Sequence, residues 1–187
     1  MALLYSEQLP IGWEAADFNL IGTDDKSYSL KDFAGHKGLL IIFTCNHCPY
    51  AKAAWPLVTE LHKRFGQDIA FVAINPNDYE TYPDDTPEAM KEKMTEWNIQ
   101  FPYLVDETQE IAKSYKAQCT PDPYLFKNED GLYRLFYHGR INDNWQEPEN
   151  VKERDLDGAI NKLLAGKDSP QTQPPSLGCS IKWKSLK

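Results

Sequence analysis

Continuous apolar runs and segments with helical spacing follow one another along the chain. The run Leu39–Phe43 has the length of a strand and predicts a central strand that is covered on both faces. From Pro49 to Phe65, apolar residues recur at three- and four-residue steps, which predicts a helix. A second strand is predicted at Ile69–Ile74. A second helix is predicted to begin after Thr86, a good N-cap residue, and to run to about Trp97.

Shorter patterns fill the rest of the chain. The segment from Cys119 to Pro123 is too rich in proline for us to expect regular structure there. Strands that alternate with helices and end in a hairpin predict an α/β fold, a mixed sheet with helices on both faces. The remaining predicted elements are an N-terminal β-hairpin around a turn at 22–26, a strand at 103–105, a helix that is capped by Asp106 and buries Ile111, Ala112 and Tyr115, an antiparallel hairpin with strands at 124–126 and 132–137, and a last helix that ends at Gly166.

Length and composition favour one soluble globular domain. A single hydrophobic core suits 187 residues, of which 41% are hydrophobic and 26% charged. No apolar run approaches the ~20 residues that span a bilayer, so we expect no membrane association. The predicted domain covers 1–187, with a core at about 10–166 and a C-terminal extension at 167–187. Ile181 and Trp183 are expected to dock this extension on the body.

Charge and cysteine content narrow the functional class. The net charge is -8 and basic residues form no stripe along the sequence, so nucleic acid is not an expected partner. The N-terminus lacks a basic region and a long apolar stretch, which argues against a secretory signal and favours a cytoplasmic location. Four cysteines are too few for a structural disulfide framework there, which leaves catalytic, metal-binding or buried roles.

Two of the four cysteines, Cys45 and Cys48, stand three apart between the strand and the helix. If the helix begins near Cys45, the two side chains share one face at a separation that a disulfide can bridge. The helix N-terminus would then favour a thiolate at Cys45. His47, when protonated, would lower the thiol pKa further, whereas the neutral Asn46 is less informative.

The motifs together resemble the thioredoxin superfamily. CxxC follows a buried strand, and Thr120-Pro121 precedes another strand about seventy residues later. The pattern G-x-x-A-x-D-F-x-L that begins at Gly12, with CNHCPY and FPYLVDET, is similar to the AhpC/TSA branch. Within it the chain resembles small thioredoxin-like proteins regarded as thiol-disulfide isomerases, which share CNHCP, NDYE, CTP and a terminal GCSIKWK. The resemblance covers nearly the full length and implies a thioredoxin-like three-layer α/β/α fold.

The resemblance also implies roles for individual residues. Cys45 would be the exposed nucleophile and Cys48 the resolving thiol, with Pro121 as the cis-proline. Thr120 and Pro121 would bind an extended substrate segment through backbone groups. The chain departs from thioredoxins because the strand at 39–43 carries no acidic residue. It departs from peroxiredoxins because P-x-x-x-T-x-x-C is absent.

Simpler explanations exist for several of these residues. The pair could be half of a zinc site, but only His47, Cys119 and Cys179 remain as further ligands of the expected kinds, so we predict no metal. Cys119 and Cys179 could be accessory redox thiols, although packing in the core is the favoured interpretation for both.

Two groups of polar residues receive no chemical role from the sequence. Arg140 and Asp143 are expected to fix a loop. Asp84 and Asp85 are expected to form a solvated loop before a helix.

The sequence therefore predicts a cytoplasmic thiol-disulfide oxidoreductase that acts through a CxxC couple and needs no cofactor. Its partners would be a protein or small-molecule disulfide and a thiol reductant or oxidant that resets the pair. One alternative is a peroxiredoxin-like thiol peroxidase with antioxidant activity, in which Cys45 reacts with hydroperoxide. Another is a redox-inert or metal-carrying binding module.

Overall fold

A computed structural model describes residues 2–185 of the chain. The strands are β1 Leu3–Tyr5, β2 Leu20–Gly22, β3 Ser27–Tyr28, β4 Gly38–Phe43, β5 Ile69–Asn75, β6 Tyr103–Val105, β7 Cys119–Thr120, β8 Asp122–Glu129, β9 Leu132–His138 and β10 Leu177–Ser180. The helices are α1 Pro49–Phe65, α2 Pro87–Glu96, α3 Glu110–Ser114 and α4 Asp155–Leu164.

The seven-stranded main sheet has the order β3-β2-β6-β5-β4-β8-β9. Strands β4, β5 and β6 are parallel to one another. On one side, β8 pairs antiparallel with β4, and β9 pairs antiparallel with β8. On the other side, β2 pairs antiparallel with β6, and β3 pairs antiparallel with β2. β4 lies between β5 and β8, and all six of its residues are buried. Its position explains why its sequence is continuously apolar.

Two hydrophobic cores cover the two faces of this sheet. Alternate residues of β4 enter opposite cores, because successive side chains of a strand point to opposite faces. Ile41 belongs to the core that contains Ala112 of α3, and Leu40 to the core that contains Trp55 of α1 and Ile160 of α4. The predicted thioredoxin-like three-layer α/β/α fold with a mixed sheet and an N-terminal hairpin is confirmed.

Local capping chemistry explains where the helices begin. The Thr86 hydroxyl accepts a hydrogen bond from the Ala89 N–H at 3.3 Å, so the predicted N-cap is present. The Asp106 carboxylate accepts from the Ala112 N–H at 2.7 Å, although Gln109 is the residue that directly precedes α3. The predicted bounds of α1 match the structure.

The segment at 119–123 is regular, contrary to the sequence prediction. β7 ends at Thr120, a cis peptide bond joins Thr120 to Pro121, and β8 begins at Asp122. Pro121 is the single residue between the two strands. β7 pairs with β10, whereas β8 pairs with β4. Proline therefore falls at the point where the chain passes from one sheet to the other.

The second sheet has the order β1-β10-β7 and joins both ends of the chain to the body. Ile181 is buried as expected, whereas Trp183 is 39% exposed, so only the first of these two residues docks fully. Residues 186 and 187 of the predicted extension lie outside the described part. Within 2–185, no helix has both the length and the apolarity needed to cross a membrane.

Candidate active site

The cysteine pair lies in the loop that joins the end of β4 to the start of α1. The helix begins at Pro49, and Cys48 is its N-cap residue. The condition of a helix that begins near Cys45 is therefore not met, since Pro49 takes the first helical position, where its missing N–H is not needed. It is Cys48 that lies at the positive end of the helix dipole.

Thr120 contacts both sulfur atoms. The Cys45 Sγ lies 3.2 Å from the Thr120 hydroxyl, and the Cys48 Sγ lies 3.4 Å from the Thr120 carbonyl oxygen. The structure thus brings the cysteine pair and the Thr120-Pro121 segment together, as the resemblance to the thioredoxin superfamily implies. The backbone of Thr120 also pairs with Cys179 of β10, so the chain itself occupies the strand position expected for a substrate.

Both sulfurs are shielded from solvent. Cys45 and Cys48 are each 0% exposed, and Tyr50 packs against the cluster that contains them. The expectation of an exposed Cys45 is therefore wrong, because the loop turns that side chain inward towards Thr120 and the Trp55 indole donates to the Cys45 carbonyl at 3.3 Å. A substrate can reach either sulfur only after a movement at this surface.

The two cysteines differ in acidity. Burial raises the pKa of Cys45, and the neighbouring Cys48 and Asp85 raise it further. The pKa of Cys48 is lowered to about 5, first by the hydrogen bond from the Cys45 thiol and then by the Cys179 thiol and the N–H groups of Ala51 and Cys179. Burial opposes this shift, but the donors outweigh it. The negative charge of the reduced pair therefore resides on Cys48.

Asp85 organises the two residues between the cysteines. Its carboxylate accepts from the Asn46 N–H and from His47 Nδ1, each at 2.7 Å, and from Asn77 Nδ2 at 2.8 Å. Burial alone would raise the pKa of Asp85, but the bonds from His47, Asn46 and Asn77 lower it. Asp85 is 1% exposed, so the interpretation of this residue as solvated is wrong. In the sequence, Asp85 looks like an ordinary acidic residue at the start of a helix, so its role at the site was not predicted.

His47 and Asn46 are held in place by these contacts. The His47 ring stacks on Tyr82 with 5.4 Å between ring centroids, and its Nε2 has no hydrogen-bond partner among the described residues. Asn46 donates to the Asp84 carbonyl oxygen at 2.8 Å and accepts from the Tyr103 hydroxyl at 3.1 Å. Their modulating roles stay predictions, and these contacts fix both side chains beside the pair.

Cys45, His47 and Asp85 form a possible metal-binding group. Their donor atoms all lie within 4.8 Å of one another. Three ligands are fewer than the four that a structural zinc site uses, and the His47–Asp85 hydrogen bond occupies two of the donors.

The other two cysteines have different surroundings. Cys119 is fully buried opposite Ser180 in the β7–β10 ladder, and burial raises the pKa of its thiol. These facts suit the favoured interpretation of Cys119 as a core residue. Cys179 lies opposite Thr120 and packs with Cys45 and Cys48. It therefore belongs to the cysteine cluster.

An apolar cavity of about 270 Å³ lies beside Pro121. Tyr50 and Trp145, whose rings are 3.9 Å apart, form part of its wall together with Leu177. No sequence pattern pointed to these residues, because they come from three distant segments.

Arg140 also lines the cavity, and its bonds to carboxylates of Asp155 and Glu153, at 2.8 and 2.6 Å, fix the loop as the sequence predicted. Asp143, in the same loop, accepts from the Lys152 N–H at 3.0 Å.

Unlike thioredoxins, this protein has no acidic residue in β4, but the adjacent strand β8 carries one. Asp122 of β8 pairs with Phe43 of β4 and is fully buried. Its carboxylate hydrogen-bonds His138 Nε2 at 2.9 Å and the Tyr124 hydroxyl at 3.0 Å. Burial raises the pKa of Asp122. This pair was not predicted from the sequence, because its two members lie on different strands of one hairpin.

Comparison with known proteins agrees with this arrangement. The AhpC/TSA family matches residues 11–135, which is more than half of the chain. The chain belongs to the AhpC/TSA family. It is 28% identical over 126 residues to the thiol-disulfide oxidoreductase ResA of Bacillus thuringiensis, with 67% of this chain and 68% of the relative covered. The predicted assignment to the thioredoxin-like thiol-disulfide oxidoreductases is confirmed at the level of the family and the class of enzyme.

Two solved structures are similar over almost their whole length. An uncharacterized conserved protein from Geobacillus kaustophilus is 39% identical, with a TM-score of 0.92 and coverage of 100% of this chain and 99% of that one. A hypothetical protein from Sinorhizobium meliloti is 36% identical, with a TM-score of 0.91 and coverage of 97% and 99%. The thioredoxin domain of a Bacteroides vulgatus thiol-disulfide oxidoreductase is 19% identical, with a TM-score of 0.57 and coverage of 71% and 91%, and supports the fold alone.

Proposed function

We propose that this protein reduces or forms disulfides in its substrates through a dithiol/disulfide couple made of Cys45 and Cys48. One observation carries the proposal: Cys45 and Cys48 pack in one buried cluster beside the N-terminus of α1, and the sulfur atoms of both contact Thr120. Two sulfurs so close can exchange a disulfide, and the donors around one of them supply the thiolate that the reaction requires.

We assign the attack to Cys48, which reverses the order implied by the resemblance. The Cys48 thiolate attacks one sulfur of a substrate disulfide, the substrate S–S bond breaks, and its other sulfur leaves as a thiolate. The Cys45 thiol then loses its proton to that leaving thiolate and attacks the Cys48 sulfur. The bond between Cys48 and the substrate breaks, and the second substrate sulfur leaves as a thiolate that takes a proton from solvent. The products are a Cys45–Cys48 disulfide and a substrate dithiol, so two electrons pass from the pair to the substrate.

The surroundings of the pair support an apolar substrate segment. The cavity beside Pro121 is lined by Tyr50, Trp145 and Leu177, which offer aromatic and aliphatic surface close to the cysteine cluster. Its apolar wall would take hydrophobic side chains that flank a substrate cysteine. Movement of Tyr50 would open a path to Cys48.

A cytoplasmic location is part of the proposal. Four cysteines that are all free thiols suit a compartment where structural disulfides are rare. Fractionation of the native host followed by immunodetection tests this point, and recovery in an extracytoplasmic fraction would contradict it.

Trapping of mixed disulfides tests the proposed reaction. Wild type, Cys45→Ser and Cys48→Ser are each assayed for reduction of insulin disulfides and then incubated with a peptide disulfide for mass spectrometry. We expect both variants to lose turnover and Cys45→Ser to accumulate a mixed disulfide on Cys48. Cys119→Ser serves as a matched control and should keep activity.

Each other outcome has a definite meaning. Unchanged insulin reduction in both variants would refute the couple. A mixed disulfide that accumulates on Cys45 in Cys48→Ser, with none on Cys48 in Cys45→Ser, would restore the order implied by the resemblance. Rapid stoichiometric loss of hydrogen peroxide with no insulin reduction would favour the thiol peroxidase instead.

A further inference from the structure

The C-terminal strand β10 lies where an extended substrate would be expected to pair. Its Cys179 is the ladder partner of Thr120, the residue that precedes the cis-proline and contacts both sulfurs of the couple. β10 is also paired on its other side, where Leu3 of β1 lies opposite Cys179. The chain's own backbone therefore fills the edge that the sequence analysis assigned to a substrate.

Gly178 allows this close approach. A Cβ atom at position 178 would lie 2.1 Å from the Thr120 carbonyl oxygen, a separation that no side chain tolerates without movement of the backbone. The next residue, Cys179, is 2% exposed and forms one cluster with Cys45, Cys48 and Ala51. The glycine thus lets β10 bring a thiol against the redox couple.

Cys179 packs in the same buried cluster as Cys48. Thr120, the ladder partner of Cys179, has its carbonyl oxygen 3.4 Å from the Cys48 sulfur. Cys119, by contrast, is one ladder position away, opposite Ser180. Among the described cysteines other than Cys45, Cys179 is therefore the one placed to exchange with Cys48.

We propose that Cys179 is a third redox thiol, which acts as an internal substrate for Cys48. In the oxidised protein, the Cys179 thiolate attacks the Cys48 sulfur of the Cys45–Cys48 disulfide. The Cys48–Cys179 bond forms, the Cys45–Cys48 bond breaks, and the electron pair leaves on the Cys45 sulfur, which takes up the proton that Cys179 released. The disulfide moves without any net oxidation, so no external oxidant is needed. This inference rests on the proposed redox couple.

The exchange would change which cysteine is free in the oxidised protein and how β10 is held. A Cys48–Cys179 disulfide would tie β10 to the start of α1 and leave Cys45 as a free thiol. The reduced form would lack this link, and β10 would be held by its ladder and by burial alone. Oxidation would therefore lock the strand that covers the Thr120 edge.

Disulfide mapping tests the inference without a substrate. Wild type, Cys45→Ser, Cys179→Ser and Cys119→Ser are equilibrated in glutathione buffers of graded potential, trapped by acid and alkylation, and digested for mass spectrometry. We expect wild type to contain Cys48–Cys179 in a measurable fraction beside Cys45–Cys48. Cys45→Ser should form Cys48–Cys179 as its main disulfide, and Cys119→Ser should match wild type.

The variants separate the two proposals. If Cys45→Ser yields only glutathione adducts on Cys48, the inference about Cys179 is overturned whether or not wild type reduces insulin. If Cys45–Cys48 forms normally in wild type and in Cys179→Ser but Cys48–Cys179 appears nowhere, the couple survives and the internal exchange fails. Because the decisive result comes from Cys45→Ser, misfolding of Cys179→Ser would not obscure it.

Discussion

The acidity of Cys48 gives the sharpest test of the site. Its pKa is lowered from the ordinary 9.0 to about 5 in the reduced protein, chiefly by the Cys45 thiol that donates to its sulfur. We expect the ultraviolet absorbance of the thiolate to appear with a midpoint near pH 5, and iodoacetamide to label Cys48 with the same midpoint. Cys45→Ser and Cys179→Ala should each raise this midpoint, and Cys45→Ser should raise it more.

The lowered pKa also predicts how stability depends on pH. One pKa unit corresponds to about 1.4 kcal/mol, so the two units between pKa 5 and pH 7 stabilise the folded reduced protein by about 3 kcal/mol. Because the folded pKa is depressed, this contribution is complete above pH 9 and is lost as pH falls to 5. Cys45 adds nothing to it at pH 7, since a raised pKa leaves that thiol protonated in both states.

The same charge should make the couple more oxidising. A stabilisation of the dithiol by about 3 kcal/mol corresponds to a potential about 60 mV higher than that of an otherwise equal pair with ordinary thiols. Urea unfolding of the reduced and oxidised forms at pH 5 and pH 7 measures the stability, and glutathione equilibration measures the potential. A thiolate midpoint near pH 9, or a thiolate signal that persists in Cys48→Ser and disappears in Cys45→Ser, would refute the reasoning.

Three further substitutions test the surroundings of the pair. Asp85→Asn should lower the free energy of unfolding by about 1–3 kcal/mol, because His47 loses a charged acceptor; unchanged urea midpoints would contradict this role. Gly178→Ala should destabilise the protein by about 1–3 kcal/mol through displacement of β10, whereas Gly35→Ala, where a Cβ meets no atom within 4 Å, should not; equal urea midpoints would exclude the close approach. His138→Ala should cost about 1–3 kcal/mol in urea unfolding because it removes a hydrogen-bond partner of the buried Asp122 side chain, and an unchanged urea midpoint would show that the pair is dispensable.

The regular elements were predictable because each depends on short-range chemistry. The continuous apolar run predicted β4, and the periodic pattern predicted the bounds of α1, since burial of a strand or a helix face selects residues at fixed spacing. Thr86 predicted its own cap for the same reason, because the bond spans only three residues. The placement of Cys45 at the N-terminus of this helix was wrong, because the spacing of two cysteines does not reveal which of them caps the helix.

The sequence by itself determined the fold class, the cysteine pair and the proline segment that faces it, because these follow from local patterns and from a full-length resemblance. Only the tertiary structure decided which sulfur carries the charge, since the donors to Cys48 come from Cys45, from α1 and from β10, which is distant in the sequence. Burial of Asp85 beside His47 was decided in the same way. Acidity depends on what surrounds a group in space, and contacts between distant segments leave no periodic trace in one sequence.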